Sequence, residues 1–351
     1  VYKRQQLSPD GTQVLFVKST PDWEENRTIS HIFRVDTDGS GMVQLTYGKE
    51  GQSSPRWSPD GLHVAFTASR GDDEGNQVYL LSAGGGEARR LTAHETSVGN
   101  IAWSPDGRFL YFLASDPLSD EEEKKREVRD DVFAFDENFK QAHLWKVDVE
   151  GGEETRITEG DFTVAQYSVS RDGEMVAHMR APSPLFGQFQ DAEVWVMAAD
   201  GAGAIQLTSD TVPQYNPQLS PDNNWVMFTA DSNEEGDFYY NDKIFLVPAG
   251  GGDATVLLPD LPHEVPGANW SSDGEAVVFL ANTGVRQDLF LADVDTREVT
   301  QLTSGDHSLG SVTYNPLNNR VAFGVQDRTN AGDLWVMEVE AGARPTRVTQ
   351  I

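Results

Sequence analysis

Pro55-Arg56-Trp57-Ser58-Pro59-Asp60-Gly61 is the stretch that decides the fold, because it returns. It comes back as Ile101-Ala102-Trp103-Ser104-Pro105-Asp106-Gly107 and, with one change in the turn, as Ala268-Asn269-Trp270-Ser271-Ser272-Asp273-Gly274. Weaker copies are Leu7-Ser8-Pro9-Asp10-Gly11, Val169-Ser170-Arg171-Asp172-Gly173, Leu219-Ser220-Pro221-Asp222-Asn223 and Tyr314-Asn315-Pro316-Leu317-Asn318-Asn319. Seven copies at spacings of 45 to 66 residues mark a repeat array.

Around each turn the same parts recur. Pro presets the first corner, and Gly or Asn supplies the positive φ that ends it. An apolar run follows that ends in an aromatic or His, such as Val64-Ala65-Phe66 or Val176-Ala177-His178. A second apolar run comes next, such as Val78-Tyr79-Leu80-Leu81 or Leu334-Trp335-Val336-Met337. A turn, often Gly-rich, then leads to a fourth run ending Leu-Thr or its equivalent, which degrades to Leu257-Leu258 in the fifth copy. These read as four short strands per unit, rich in β-branched and aromatic residues. Near-continuous apolar runs mean that both faces of each sheet are covered. Seven four-stranded sheets stacked around an axis satisfy that demand. The expected fold is all-β: a seven-bladed β-propeller of four-stranded antiparallel blades. The blades fall at about 1–47, 48–93, 94–159, 160–209, 210–259, 260–304 and 305–351, as one domain.

The repeats use all 351 residues. With strands reaching both ends and no initiator Met, the chain reads as a segment of a longer protein. It has no Cys, which excludes disulfides and thiolate metal sites. No run of 18 apolar residues is present, so no helical membrane span is expected. The compartment stays open between cytoplasm and periplasm. Lys and Arg number 27 against 56 Asp and Glu, a formal charge of −29. That argues against nucleic acid, which needs a basic footprint. Attraction of cationic peptides and a merely solvated acidic surface are both compatible with it.

Strand parity places the loops. The Pro-Asp-Gly turns and the Gly-rich turns lie on one face, and the second-to-third and blade-to-blade connections on the other. All the long connections are of the latter kind, so one face is trimmed and the other elaborated. The longest runs from Ser115 to Ala142, 28 residues against eight in the second blade (Ser69 to Asn76). Within it, Asp120 to Asp131 places acidic residues before basic ones at i+3 and i+4, which predicts a short exposed helix. Val132-Phe133-Ala134-Phe135 could extend the blade or dock on a partner.

No catalytic constellation emerges. Asp306-His307-Ser308-Leu309-Gly310 lacks the first Gly of a nucleophile elbow and precedes a strand. His94-Glu95-Thr96-Ser97-Val98 lacks the second His of a zinc-protease helix. Gly201-Ala202-Gly203-Ala204-Ile205-Gln206 fails the dinucleotide pattern at its last Gly. The recurrent turn Asp reads as a turn-stabilising side chain, and the recurrent Trp residues as packing between blades. No metal site and no cofactor is expected.

The order Trp-Ser-Pro-Asp-Gly, apolar run, Leu-Trp-x-Val-Asp, Gly-Gly, Leu-Thr resembles the propeller of the prolyl oligopeptidase family of serine peptidases. The acylaminoacyl-peptidase and dipeptidyl-peptidase-like branches are the nearest in pattern. TolB-type propellers share the repeat. Arg126-Glu127-Val128-Arg129-Asp130-Asp131-Val132-Phe133, followed by His143-Leu144-Trp145-Lys146-Val147-Asp148 and Ile157-Thr158-Glu159-Gly160-Asp161, is the more specific likeness. The resemblance implies a non-catalytic propeller covalently linked to a carboxy-terminal α/β-hydrolase domain, capping its active site and filtering peptide substrates by size. That hydrolase domain is absent from this sequence, so no triad residue carries over. Arg126, Arg129, Asp130, Asp131 and Phe133 are the candidates for substrate gating or domain contact. The Glu pair with which the dipeptidyl-peptidase branch holds a substrate amine is not assigned to Glu234-Glu235 or to Glu121-Glu122-Glu123, which lack its aromatic context. The alternative is a TolB-like protein-binding module with no enzyme attached.

Overall fold

The computed structural model describes residues 2–350 apart from 131, 133, 135–136, 190, 211, 233–241 and 331; the side chains of 2–4 are also outside the description. Seven separate four-stranded antiparallel sheets follow one another along the chain. The first blade is β1 (Tyr2–Leu7), β2 (Gln13–Asp22), β3 (Arg27–Asp36) and β4 (Val43–Gln44), hydrogen-bonded in that order. In six of the seven neighbouring pairs of blades the first strands lie against one another, so they surround the axis. The fold is a seven-bladed β-propeller.

The repeated turn supplies the local cause. In six blades the Ser hydroxyl holds the Asp carboxylate, as in Ser104 to Asp106 at 2.5 Å, and that carboxylate accepts the amide two residues on, Arg108 at 3.0 Å. The same Ser Oγ receives the amide that opens the second strand, Phe109 at 2.8 Å. These bonds, the Ser hydroxyl first, hold Asp10, Asp60, Asp106, Asp222 and Asp273 below the usual carboxylate range; at Asp172 burial opposes them and they still prevail. The Asp is therefore a turn clamp.

The cores lie between blades. Phe16, Phe66, Phe112, Phe228, Phe279 and Phe323 occupy the same place on six second strands and are fully buried. Each such side chain contributes about 2–3 kcal/mol of burial. Each faces an aromatic directly across on the third strand: Phe33, Tyr79, Trp145, Phe245, Phe290 and Trp335. The fourth blade puts His178 opposite Trp195 instead. The Trp residues at the ends of first strands bridge blades: the Trp103 indole donates to the Arg56 carbonyl at 3.2 Å and Trp270 to that of Gln218 at 3.3 Å.

Fourth strands span only two or three residues. The terminal Thr of Leu-Thr turns inward. Its Oγ1 accepts one amide of the third strand in six blades (Ile32, Val78, Leu144, Val194, Leu289 and Leu334), at 2.9 to 3.0 Å. The same hydroxyl engages the residue just before that amide: Gln77, His143, Glu193, Asp288 or Asp333. In the fifth blade, where Leu258 replaces Thr, the preceding residue is Lys243. Its ammonium donates to the carbonyls of Leu261 at 2.6 Å and His263 at 2.9 Å.

Among the described residues, the ring closes without a shared strand. The first sheet uses only amino-terminal strands and the seventh only carboxy-terminal ones. Leu7, Val14, Phe16 and Val35 pack on Ala322, Leu334, Val336 and Val348. Asn315 and Asn318 donate to the carbonyls of Ser8 and Pro9, Arg320 to that of Gly11, and Gln5 to that of Ala322.

Candidate functional site

Two regions can carry function, the axis and the elaborated face. The axis is shaped by bulges. In every blade but the sixth the first strand slips register against the second. Two residues there oppose one, as Ser54 and Pro55 do between the pairs Ser53–Thr67 and Arg56–Ala65. Ser54, Asn100, Asn216 and Ser311 take positive φ of 50 to 55° at this point. Bulges raise local twist and re-aim side chains. Here they bend the first strands around a cavity of about 600 Å³ walled by blades two to seven.

Side chains cross between the strands that wall it. The Asn216 amide donates to Gln166 Oε1 at 2.6 Å, Ser168 Oγ to the Pro217 carbonyl at 2.7 Å, and Gln218 Nε2 to the Ala268 carbonyl at 2.8 Å. The Tyr167 hydroxyl donates to the Asn100 carbonyl. Burial lifts the phenols of Tyr167 and Tyr314 above their ordinary value, so both stay protonated. Arg171 stands where five of the other turns have Pro. Its guanidinium reaches past the fifth blade to the sixth and donates to the carbonyls of Ser272, of Ser271 at 2.8 Å and of Trp270 at 3.3 Å. It thus ties two non-adjacent blades at the trimmed end of the cavity.

The elaborated face carries the long connections. Helix α1 (Asp120–Glu127) opens with Ser119 as its cap, in a full capping box with Glu122. Lys140 clasps Glu122 at 2.5 Å, and that hydrogen bond with those from Ser119 holds the Glu122 carboxyl down at about 2. No residue of α1 is buried. Arg126 pairs with Glu123 at 3.5 Å, Arg129 takes φ of 57°, and the Asp130 amide closes on the Lys125 carbonyl at 2.9 Å. These three lie on and just beyond α1, all exposed, and none lines the axial cavity. Asp131 and Phe133 lie outside the described residues, as do Glu234 and Glu235. On the same face, burial together with Glu264 and Asp231 lifts the Asp242 carboxyl to about 6.

Large apolar side chains stand uncovered on this face. Trp23 is 87% exposed at the β2–β3 hairpin, Val128 and Val132 are 74% and 89% exposed beyond α1, Phe186 is 80% exposed in α2 (Phe186–Phe189), and Val285 is 96% exposed in the sixth blade. The trimmed face shows Leu62, Trp225 and Leu317. Sequence reading found the loops but not the axial residues. Arg56, Asn100 and Asn216 sit in strands that read as ordinary core, and the signal was there only as Asn or Ser interrupting a strand. Among the described residues, no three His, Asp or Glu converge as metal ligands.

Comparison with known proteins agrees with this geometry. Residues 4–127 match the family described as the TolB beta propeller domain. An uncharacterized peptidase of Bacillus subtilis, YuxL, is 28% identical over 66% of this chain, which spans 30% of that protein. Dipeptidyl-peptidase 5 of Porphyromonas gingivalis is 22% identical over 86% of the chain, which spans 47% of it. Both of these relatives are named as peptidases. The acylaminoacyl peptidase of Pyrococcus horikoshii superposes over 99% of the chain with a TM-score of 0.71, at 17% identity, and the chain covers 52% of that structure. The chain therefore spans about half or less of the length of these relatives. Among the described residues, no helix is long and apolar enough to cross a membrane.

Proposed function

We propose that this chain is the non-catalytic propeller of a prolyl-oligopeptidase-family serine peptidase, docked by its elaborated face onto a covalently linked α/β-hydrolase domain and limiting the peptides that reach it by size. One observation carries the reading: the four most exposed large apolar side chains, the long connections and the outer ends of the first and last described strands share one face. β1 runs from that face toward the trimmed one, and the last strand (Thr346–Arg347) runs back to it. A domain continuing the chain from either end would be delivered onto Trp23, Val128, Phe186 and Val285. Burying several such side chains supplies the apolar core that a stable interface needs. Standing over the active site, the propeller would pass only short or unfolded peptides.

The test uses the complete reading frame. A Gly-x-Ser-x-Gly following this chain is expected, and deletion of Ser119 to Asp131 from that protein should change the ratio of kcat/KM for a tetrapeptide to that for a 30-residue peptide. An unchanged ratio would count against the gating role. The match to the TolB beta propeller domain favours a second reading, a protein-binding module with no enzyme. A reading frame without a hydrolase domain would establish it.

A further inference from the structure

About one residue in six of this chain is Asp or Glu, 56 of 351. None of the seven first strands contains either. The described lining of the axial cavity contains no carboxylate but two arginines, Arg56 and Arg171. This is not simple exclusion of polar residues from a core, because Asn100 and Asn216 stand exposed in the same lining. Neutral polar side chains and arginines are accepted there, and negative ones are missing. The Arg171 guanidinium is held by three backbone carbonyls. Carbonyls are neutral, so they fix the side chain in place without cancelling its charge. Asp273, the carboxylate that acts on Arg171, is itself held by Ser271 Oγ at 2.5 Å and the Glu275 amide at 3.0 Å, and lies outside the lining. Low-dielectric walls focus the field of such cations into the cavity.

We infer that the axial cavity is a carboxylate-binding site that takes the negatively charged part of a short peptide, most simply its carboxy terminus. The acidic exterior repels such a ligand and the axis draws it, so a peptide carrying one carboxylate would enter end-on. A volume of about 600 Å³ accommodates a few residues. The exposed amides of Asn100 and Asn216 offer donors beside the two guanidinium groups. This deepens the peptidase reading by naming the charge class of peptide, yet it can be tested on this chain alone.

The experiment is titration of the 351-residue chain with acetyl-Ala-Ala-Ala bearing a free carboxylate, with its carboxy-terminal amide, and with acetyl-Ala-Glu-Ala amide, followed by calorimetry at low and at moderate salt. Binding of the free acid at least about tenfold tighter than of the neutral amide is expected, with the difference shrinking as salt rises. The Glu-containing amide separates a terminal from a side-chain carboxylate. Asn100→Asp is the decisive variant. Its backbone φ of 50° is one that Asp also adopts, so the fold should be kept while a negative charge enters the lining. It should abolish the preference for the acid, and Arg56→Gln should reduce it. Equal binding of acid and neutral amide, absence of binding by both acids, or an undiminished preference in Asn100→Asp overturns the inference. A reading frame that lacks a hydrolase would leave the inference standing, and a gating result in the full protein would not rescue it.

Discussion

His178 is the residue at which the repeat breaks its own rule. Six blades place Phe at this position, and the fourth buries an imidazole there completely. Arg180 Nε donates to its Nε2 at 2.9 Å, so the neutral ring carries its proton on Nδ1. The same guanidinium lies over the rings of Phe162 and Trp195, 4.2 Å from each centroid. Burial first, and the Arg180 charge second, push the His178 pKa down to about 3. The unfolded chain takes up a proton near pH 6.5 and the folded one does not. Stability from this source is therefore complete above pH 6.5 and falls as pH drops toward 3. At pH 5 the loss amounts to about 2 kcal/mol. In urea unfolding at pH 7 and pH 5, His178→Phe should lose about 2 kcal/mol less than the parent chain between the two. An equal loss in both proteins would show that His178 does not titrate on unfolding in this way.

The unit of design at the next scale is the blade, and the inward Thr is its hidden fastening. Sequence reading took Leu-Thr as the end of a strand. The fold instead uses the hydroxyl to hold an amide of the third strand, because a fourth strand of two or three residues has few ladder bonds of its own. The fifth blade shows the two halves of this device changing together: Leu258 joins the apolar cluster, and Lys243 turns to two carbonyls. Lys243→Gln alone strands those carbonyls and should cost about 1–3 kcal/mol. Leu258→Thr alone buries a hydroxyl in an apolar setting, at a similar cost of about 1–3 kcal/mol. The double variant rebuilds the arrangement of the second blade, in which Gln77 faces Thr92 at 2.8 Å. Chemical denaturation should find it less destabilised than the sum of the singles by at least about 0.5 kcal/mol. Strict additivity would mean that the two positions are not one device.

For the whole molecule, the weak seam lies between the first and seventh blades. Every other pair of neighbouring blades is joined by the chain itself. This pair is joined by the packing around Leu7 and Ala322 and by four bonds from side chains to main-chain carbonyls. Among the described residues, no strand crosses it. Local opening draws on the least connected regions. Hydrogen exchange read by mass spectrometry should thus show faster exchange in Tyr2–Leu7 and Ser308–Asn315 than in the matching first strands Val98–Trp103 and Thr163–Val169. Uniform protection around the ring would contradict the seam.

The sequence alone determined the number of blades, the strand order within each and the side on which the long loops fall. It could do so because turn chemistry and strand periodicity are local, and seven repetitions average out the exceptions. It also marked the helix of the third blade, where charge order and the Ser119 cap act within one turn. The inward role of Thr92 or Thr349, the closure of the ring on Arg320, and the placing of Arg56 and Arg171 in one cavity lining were decided only by tertiary structure. Each depends on groups brought together from distant positions, up to different blades, and a periodic pattern carries no information about which side chains meet once the ring is shut. The absence of acidic residues from the seven first strands was present in the sequence throughout, but it acquired physical meaning only when those strands were placed around a common cavity.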